Sequence, residues 1–349
     1  MTNIEEYSTL GAMNHRYLFP IILLTICFWG GGGHSSFADI HHDRLSTHFP
    51  QSLSFWVWTP ETNKWINPKY SVKETPQEQL QVGLDLYAAE EWREATKEFQ
   101  KLLKHYPRAR QAPDAQYHIG LCLEAQGKTF AAFKEYQVVV DKYPFSELSS
   151  TIVQKQYDIG LGLLEGDSGR GKFMSSVVGA DYNVIDVFKA VIKNAPYGDL
   201  AAPSQYKIGL YLQEKRLYQE ARDEFEKVIN DYPDNEWAKA AKYQVALADA
   251  QRSTSAQYDQ KITQVAVDEF EDFVENYPDA ELSVKAKKQI NQLREKEAEN
   301  SFLVAQFYEK QKNYEAAKIY YRFVVDDFEH SSWASKALNK IREMNEKEP

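Results

Sequence analysis

From residue 76 onward, apolar positions recur with a helical period in paired segments, and the strongest recurrence is a small residue set among aliphatic ones. Gly83, Gly120, Gly160 and Gly209 each follow Val82, Ile119, Ile159 or Ile208, and Leu86, Leu123, Leu163 or Leu212 stands three residues later. After three of these glycines come an alanine (Ala95, Ala132, Ala221), an aromatic (Phe99, Tyr136, Phe225) and a proline (Pro107, Pro144, Pro233), at the same offsets each time. A small residue lets two helices approach, a ring fills the space left, and proline ends a helix because it cannot donate to the next turn. The pattern therefore predicts helical hairpins at about 76–89 with 92–106, 113–126 with 129–143, 148–165 with 182–194, 202–215 with 217–232, and 237–253 with 257–277. One long helix at 281–312, roughly 45 Å at 1.5 Å per residue, leads into a helix at 314–328. The segment 332–346 ends the array as a cap, with Lys336, Asn339, Lys340 and Glu343 on a polar face.

These small, ring-bearing and helix-ending positions resemble the tetratricopeptide repeat, a helix-turn-helix unit of about 34 residues. The expected fold is all-α: a tetratricopeptide-like superhelical array of about six hairpins with a C-terminal capping helix, in which each pair buries its faces only against its neighbours. The third pair carries an insertion, yet Phe188 and Pro196 keep the closing spacing. Ala246, Ala266, Phe270 and Pro278 mark a fifth pair, and Ala305, Ala317, Tyr321 and Val324 a sixth, with Glu329 in place of proline.

The array is read as one domain over 76–349, preceded by a Trp-rich extension over 39–75. There the alternation in Phe55-Trp56-Val57-Trp58 and Lys64-Trp65-Ile66 predicts a small hairpin. Two readings of its tryptophans stand: they cover the open end of the first pair, or they form a patch for a partner. Residues 1–38 read as a signal peptide. Translation from Met13 places Arg16 before an apolar run at 17–29, shorter than the ~20 residues that span a bilayer, and Ser36-Phe37-Ala38 offers a cleavage site after Ala38. Cys27, preceded by Leu24-Thr25-Ile26, is the alternative as a lipidation site, although Ile26 is larger than such sites usually carry. An uncleaved anchor is the third option, and all three export the chain.

A net charge of -10 with no dense basic stretch argues against nucleic-acid partners, so proteins are the expected partners, and membrane contact is expected only through a lipid anchor or a partner. Cys27 and Cys122 make no disulfide framework, and Cys122 reads as buried filler. Gly166 to Lys172 satisfies G-x-x-x-x-G-K, but Phe173 replaces the magnesium-binding hydroxyl and a helix precedes it, so no nucleotide is expected. The 166–181 insertion reads as a loop. His41, His42, Asp43 and His48 lack the spacing of a metal site. No cofactor, metal or catalytic arrangement emerges, and the chain is not read as an enzyme.

One stripe bears on binding. Leu80, Tyr117, Tyr157, Tyr206, Tyr243 and Phe302 each stand three residues before a marker glycine or alanine. Either they line the concave groove, where rings would hold an extended aromatic-rich peptide, or they pack between neighbouring helices.

Over about 75–345, the repeats, their Tyr-Pro closures (Tyr106-Pro107, Tyr143-Pro144, Tyr232-Pro233, Tyr277-Pro278) and the long late helix through Arg294 to Asn300 resemble the BamD family, also called YfiO or ComL. The resemblance implies a periplasmic scaffold at the inner face of the outer membrane. Its early repeats would meet targeting segments of unfolded β-barrel precursors, and its later ones would dock a barrel insertase. Members are normally lipoproteins, and the Ile26-Cys27 context departs from that. The alternative is a soluble cell-envelope coordinator of the Tol-associated type, which usually carries a coiled coil before its repeats; 39–75 shows no heptads.

Overall fold

The computed structural model describes residues 56–59, 64–67, 71–169, 180–253 and 260–346. Among them, thirteen helices follow a short antiparallel hairpin. The helices are α1 Pro76–Ala88, α2 Trp92–His105, α3 Ala112–Ala125, α4 Thr129–Lys142, α5 Ser149–Gly169 and α6 Ala180–Asn194. They continue with α7 Ala201–Glu214, α8 Tyr218–Asp231, α9 Glu236–Arg252, α10 Gln260–Asn276, α11 Glu281–Lys310, α12 Tyr314–Asp327 and α13 Ser332–Glu346. Each helix packs on the next in chain order, which yields six hairpins and a terminal helix. The expected all-α array is thus the observed one. The largest boundary difference is at α5, which runs four residues past the expected Glu165; no proline follows Leu148 until Pro196, so nothing in the sequence forces an earlier stop.

Local chemistry sets the helix ends. Thr75 Oγ1 accepts the Glu78 N–H at 3.2 Å ahead of Pro76, and Asn235 and Asn313 side chains cap α9 and α12 in the same way. Inside the hairpins the chain reverses through a left-handed residue: Glu90, Gly127, Arg216 and Lys312 have φ of 62, 74, 63 and 59°. Of these four turns only that of the second hairpin uses glycine; each of the other three residues bears the left-handed cost of about 1–2 kcal/mol. Tyr106, Tyr143 and Tyr232 leave the helix with φ near -130° because the proline after each excludes the helical region. Phe328 does the same before Glu329, so the turn survives the loss of proline.

The core repeats one contact. Phe99, Tyr136, Phe188 and Phe225, all fully buried, lie face-on to Gly83, Gly120, Gly160 and Gly209 of the first helix in their pairs. A Cβ on any of these glycines would fall less than 3.0 Å from ring carbons. Ala246 and Ala305 take the glycine position opposite Phe270 and Tyr321 in the last two pairs, and all four residues are fully buried. Between pairs, aliphatic side chains close the seam: Leu102 of α2 joins Ala115, Ile119 and Cys122 of α3 in one cluster. Cys122 is the buried filler expected, and burial pushes its thiol pKa up. The long α11 serves two neighbours, its first half burying Ala286, Ile290 and Leu293 with α10 and its second half burying Ala298, Phe302 and Ala305 with α12.

The hairpin forms as expected, β1 Val57–Thr59 against β2 Lys64–Ile66, with Trp58 opposite Trp65. Of the two readings of its tryptophans, the covering role is not observed: Trp56, Trp58 and Trp65 are exposed. Instead the linker meets the first pair. Gln79 Oε1 accepts the Lys73 N–H at 3.0 Å, and the Tyr106 hydroxyl donates to the Lys73 and Glu74 carbonyls at 2.7 and 3.0 Å. Backbone groups of an extended linker match polar acceptors and donors at that edge better than indoles would.

The ring contact gives a paired test. Gly120→Ala should lower stability by about 1–3 kcal/mol, the cost of overpacking a filled core. Gly162, exposed on α5 with nothing within 4 Å of the place a Cβ would take, should gain about 0.5–1 kcal/mol on substitution by alanine. Urea unfolding of the two variants checks both signs.

Candidate protein-binding surfaces

The stripe expected as a groove lining lies at the helix junctions. Tyr206 packs on Phe225 and on Trp237 of the next pair, with centroids 5.3 and 5.0 Å apart. Tyr243 meets Phe270 and Phe273 at 5.6 and 5.8 Å, and Phe302 meets Tyr321 and Trp333 at 5.1 and 5.0 Å. Leu80 sits in the cluster around Phe99. These four are buried, whereas Tyr117 and Tyr157 are half-buried; they touch Tyr136 and Phe188 at 5.5 and 5.8 Å but keep an open edge. A first-helix ring at this position therefore bridges its own pair and, where the next pair offers a tryptophan, that neighbour too.

One residue before the stripe runs a polar ladder that the apolar markers do not reveal. The buried amides of Gln79, Gln116 and Gln205 donate to the carboxylates of Glu98, Glu135 and Glu224 on the second helix of the same pair. In the third pair Val187 replaces that glutamate, and the buried Gln156 turns to Gln137 and Asn194 at 2.9 and 2.8 Å. A second motif also repeats. The Tyr136 hydroxyl donates to Glu124 Oε2 at 2.8 Å, and Lys155 of the next pair binds the same oxygen at 2.9 Å. Tyr321 donates to Glu309 Oε2 at 2.8 Å, and Lys340 of the terminal helix donates to Oε1 of the same carboxylate at 3.3 Å. Burial, then the bond to glutamate, pushes both phenol pKa values up, so these tyrosines stay neutral donors.

Between the fourth and fifth pairs Arg222 ties three carboxylates: Glu226 at 2.6 Å, Asp249 at 2.9 Å and Glu269 at 3.2 Å, with Arg252 also on Asp249 at 2.7 Å. Beside this knot lies a cavity of about 250 Å³ lined by Ile229, Val245, Phe273, Glu226, Glu269 and Lys242. Glu269 Oε2 is buried without a hydrogen-bond partner. Burial and the Asp249 charge raise the Glu269 carboxyl pKa above its ordinary value, against the pull of Arg222.

An open apolar surface lies on the last pair. Ile319, Tyr320 and Phe323 share one face of α12, with 63, 37 and 45 % of their surface exposed, and Phe307 of α11 is 58 % exposed. Tyr308 stacks on Tyr320 at 5.4 Å and meets Phe307 at 5.7 Å, which makes a run of three rings, and Phe323 meets Phe328 at 5.7 Å. No marker position falls in this surface. Its sequence signal is Ile319 to Val325, apolar at every residue but Arg322, too many for a helix with a single buried face. Phe145 and Tyr197 are also fully exposed, each just after a closing proline on either side of the third pair.

Cys27, Ala38, Met13 and the histidines at 41, 42 and 48 lie outside the described residues. So do 170–179 of the insertion, but 166–169, expected as loop, form the last turn of α5. Among the described residues no group of three His, Cys, Asp or Glu side chains is placed to hold a metal, and no helix is long and apolar enough to cross a membrane.

Comparison with known proteins adds two family matches. Residues 185–348 match YfiO, described as an outer membrane lipoprotein, and residues 80–147 match a tetratricopeptide repeat family. No curated protein matches the chain. Among solved structures it is similar to the C-terminal part of a TPR repeat-containing protein from Cytophaga hutchinsonii, at 15% identity over 76% of this chain and 88% of that one, TM-score 0.34. A thermophilic TPR protein from Thermus thermophilus matches at 16% identity over 62% and 99%, TM-score 0.32, and a tetratricopeptide repeat protein from Parabacteroides merdae at 11% over 77% and 98%, TM-score 0.31.

The Arg222 knot makes a pH prediction. A carboxyl whose folded pKa is raised contributes stability that is present below its ordinary value of 4.5 and is lost as pH rises through the folded pKa. Glu269→Gln, which keeps an acceptor for Arg222, should therefore raise Tm at pH 7. The gain should vanish below pH 4.5, as thermal scans across pH would show.

Proposed function

Because this chain is a tetratricopeptide-repeat protein whose second half belongs to the YfiO family of outer membrane lipoproteins, we propose that it is an exported scaffold of outer membrane β-barrel protein assembly. Both families are binding proteins rather than catalysts. The observation that carries the reading is the exposed ring surface of α11 and α12, which lies inside the YfiO match. Exposed contiguous aromatic surface is unusual on a protein that works alone, and aromatic residues are enriched at protein interfaces. Phe307, Ile319, Tyr320 and Phe323 dock the periplasmic part of a barrel insertase. The early pairs meet extended segments of barrel precursors, with the open edges of Tyr117 and Tyr157 as the stripe positions within reach. The protein works in the periplasm at the inner face of the outer membrane, held there by its partner or by a lipid on Cys27.

Ile319→Glu with Phe323→Glu tests this, since both side chains are exposed and neither helps close the core. Co-purification from detergent-solubilised envelopes should recover the insertase with the unaltered chain and lose it with the double variant, by about 30-fold or more if these are interface hot spots of about 2 kcal/mol. Thermal stability should stay unchanged. Equal recovery of the same partners by both chains would refute the docking surface.

A further inference from the structure

We propose that the Trp56, Trp58 and Trp65 face of the hairpin is a lipid-contact surface, which seats the N-terminal end of the array in the headgroup region of a phospholipid monolayer. The inference rests on the envelope location proposed above. In an antiparallel pair, directly opposed residues share a face, and so do residues two apart along a strand. Trp58 opposes Trp65, and Trp56 stands two residues before Trp58, so all three indoles are on one side. They are 62, 42 and 62 % exposed, and the Trp58 and Trp65 rings meet edge-on at 5.6 Å. Two three-residue strands are too short to hold themselves together in water. The hairpin thus presents its most apolar face outward and gains stability when that face is covered.

The chemistry of the face selects the cover. Among the described residues it carries three indoles and no charged residue, and an indole joins an apolar body to a single N–H donor, the combination that concentrates at membrane–water interfaces. A lipid surface needs no shape complement, which suits a flat face of like side chains. Trp56 stands 29 residues after Cys27, so a chain held at a membrane by a lipid on that cysteine carries the hairpin to the same surface. At the other side, Gln79 and Tyr106 fix residues 73 and 74 to the first pair, so lipid contact would be passed directly to the array. One weak membrane signal gives only reversible binding, whereas two give stable attachment.

The test uses the protein as the cell exports it, carrying Cys27→Ala so that no acyl chain contributes. Its partner is vesicles of phosphatidylethanolamine and phosphatidylglycerol in a three-to-one mixture. Vesicle flotation should fall about tenfold or more on W56A/W58A/W65A, with Tm unchanged because no core residue is altered. In the chain with its tryptophans intact, phospholipids brominated on their acyl chains should quench emission, and the triple variant should lose that quenching. Equal flotation of both chains, absence of quenching, or a photocrosslinker at position 58 that captures protein and no lipid would each overturn the proposal. Recovery of assembly partners through α12 reads the function separately, so the two ideas can fail independently.

Discussion

A ring seated on a residue with little or no side chain is the contact from which the rest of the array follows. Phe99 on Gly83, Tyr136 on Gly120, Phe188 on Gly160 and Phe225 on Gly209 set how closely the two helices of a pair approach, because any Cβ at the glycine would occupy ring space. That separation fixes where the flanking aliphatic residues project. Leu102, Ala115, Ile119 and Cys122 can then form one seam between the first two pairs, and the third and fourth pairs close in the same way around Val184, Phe188, Ile208 and Phe225. Ala246 and Ala305 show that one methyl group is tolerated where the opposing ring is placed for it. The constraint is thus on matched geometry within a pair, not on glycine as such.

Buried polar groups repeat with the same regularity and add direction to packing that is otherwise nonspecific. A buried glutamine amide costs stability unless it is paired, and Gln79, Gln116 and Gln205 find a glutamate one helix away in each case. A shift of the second helix by one turn would preserve apolar contact while orphaning the amide, so the pair penalises that slip. Lys155 and Lys340 extend the rule to the next pair by bonding the glutamate that holds Tyr136 or Tyr321. Where the third pair loses its glutamate to Val187, Gln137 Oε1 of α4 accepts the Gln156 amide instead, and Asn194 near the end of α6 donates to the Gln156 oxygen.

The array was legible because its chemistry is local and periodic. Gly83, Phe99 and Pro107 each report a single geometric requirement at a fixed offset, and the helices fall where those offsets place them. The surfaces were less legible for the same reason. Position three before the marker was consistent with both a groove lining and a junction, since sequence spacing assigns a helix face without saying how much of that face the neighbouring pair covers. Trp237 and Trp333, which cover Tyr206 and Phe302, come from the following pairs, and no offset within one repeat reveals them. The Gln ladder has no such signal, because polar residues at helical spacing look like solvated surface until their partner helix is in place. The ring surface of α12 left a visible trace, an excess of apolar residues over what one buried face requires.

Exposed apolar surfaces on this chain arise where the repeat departs from its own rule. A regular pair spends its rings on its own partner helix or the following element, as Tyr206, Tyr243 and Phe302 do, and offers solvent mostly polar side chains. The last pair has only α13 beyond it, and that helix covers Trp333 and Ile341 against the α11 and α12 core while leaving Ile319, Tyr320 and Phe323 open. Among the described residues no pair precedes the first, whose polar edge is met by the backbone of residues 73 and 74, and the hairpin tryptophans are exposed. Interior pairs can be read as spacers of set geometry, and the two ends as the places where apolar area remains for something other than the chain itself. An array built this way separates its exposed apolar surfaces by a distance that the number of pairs determines.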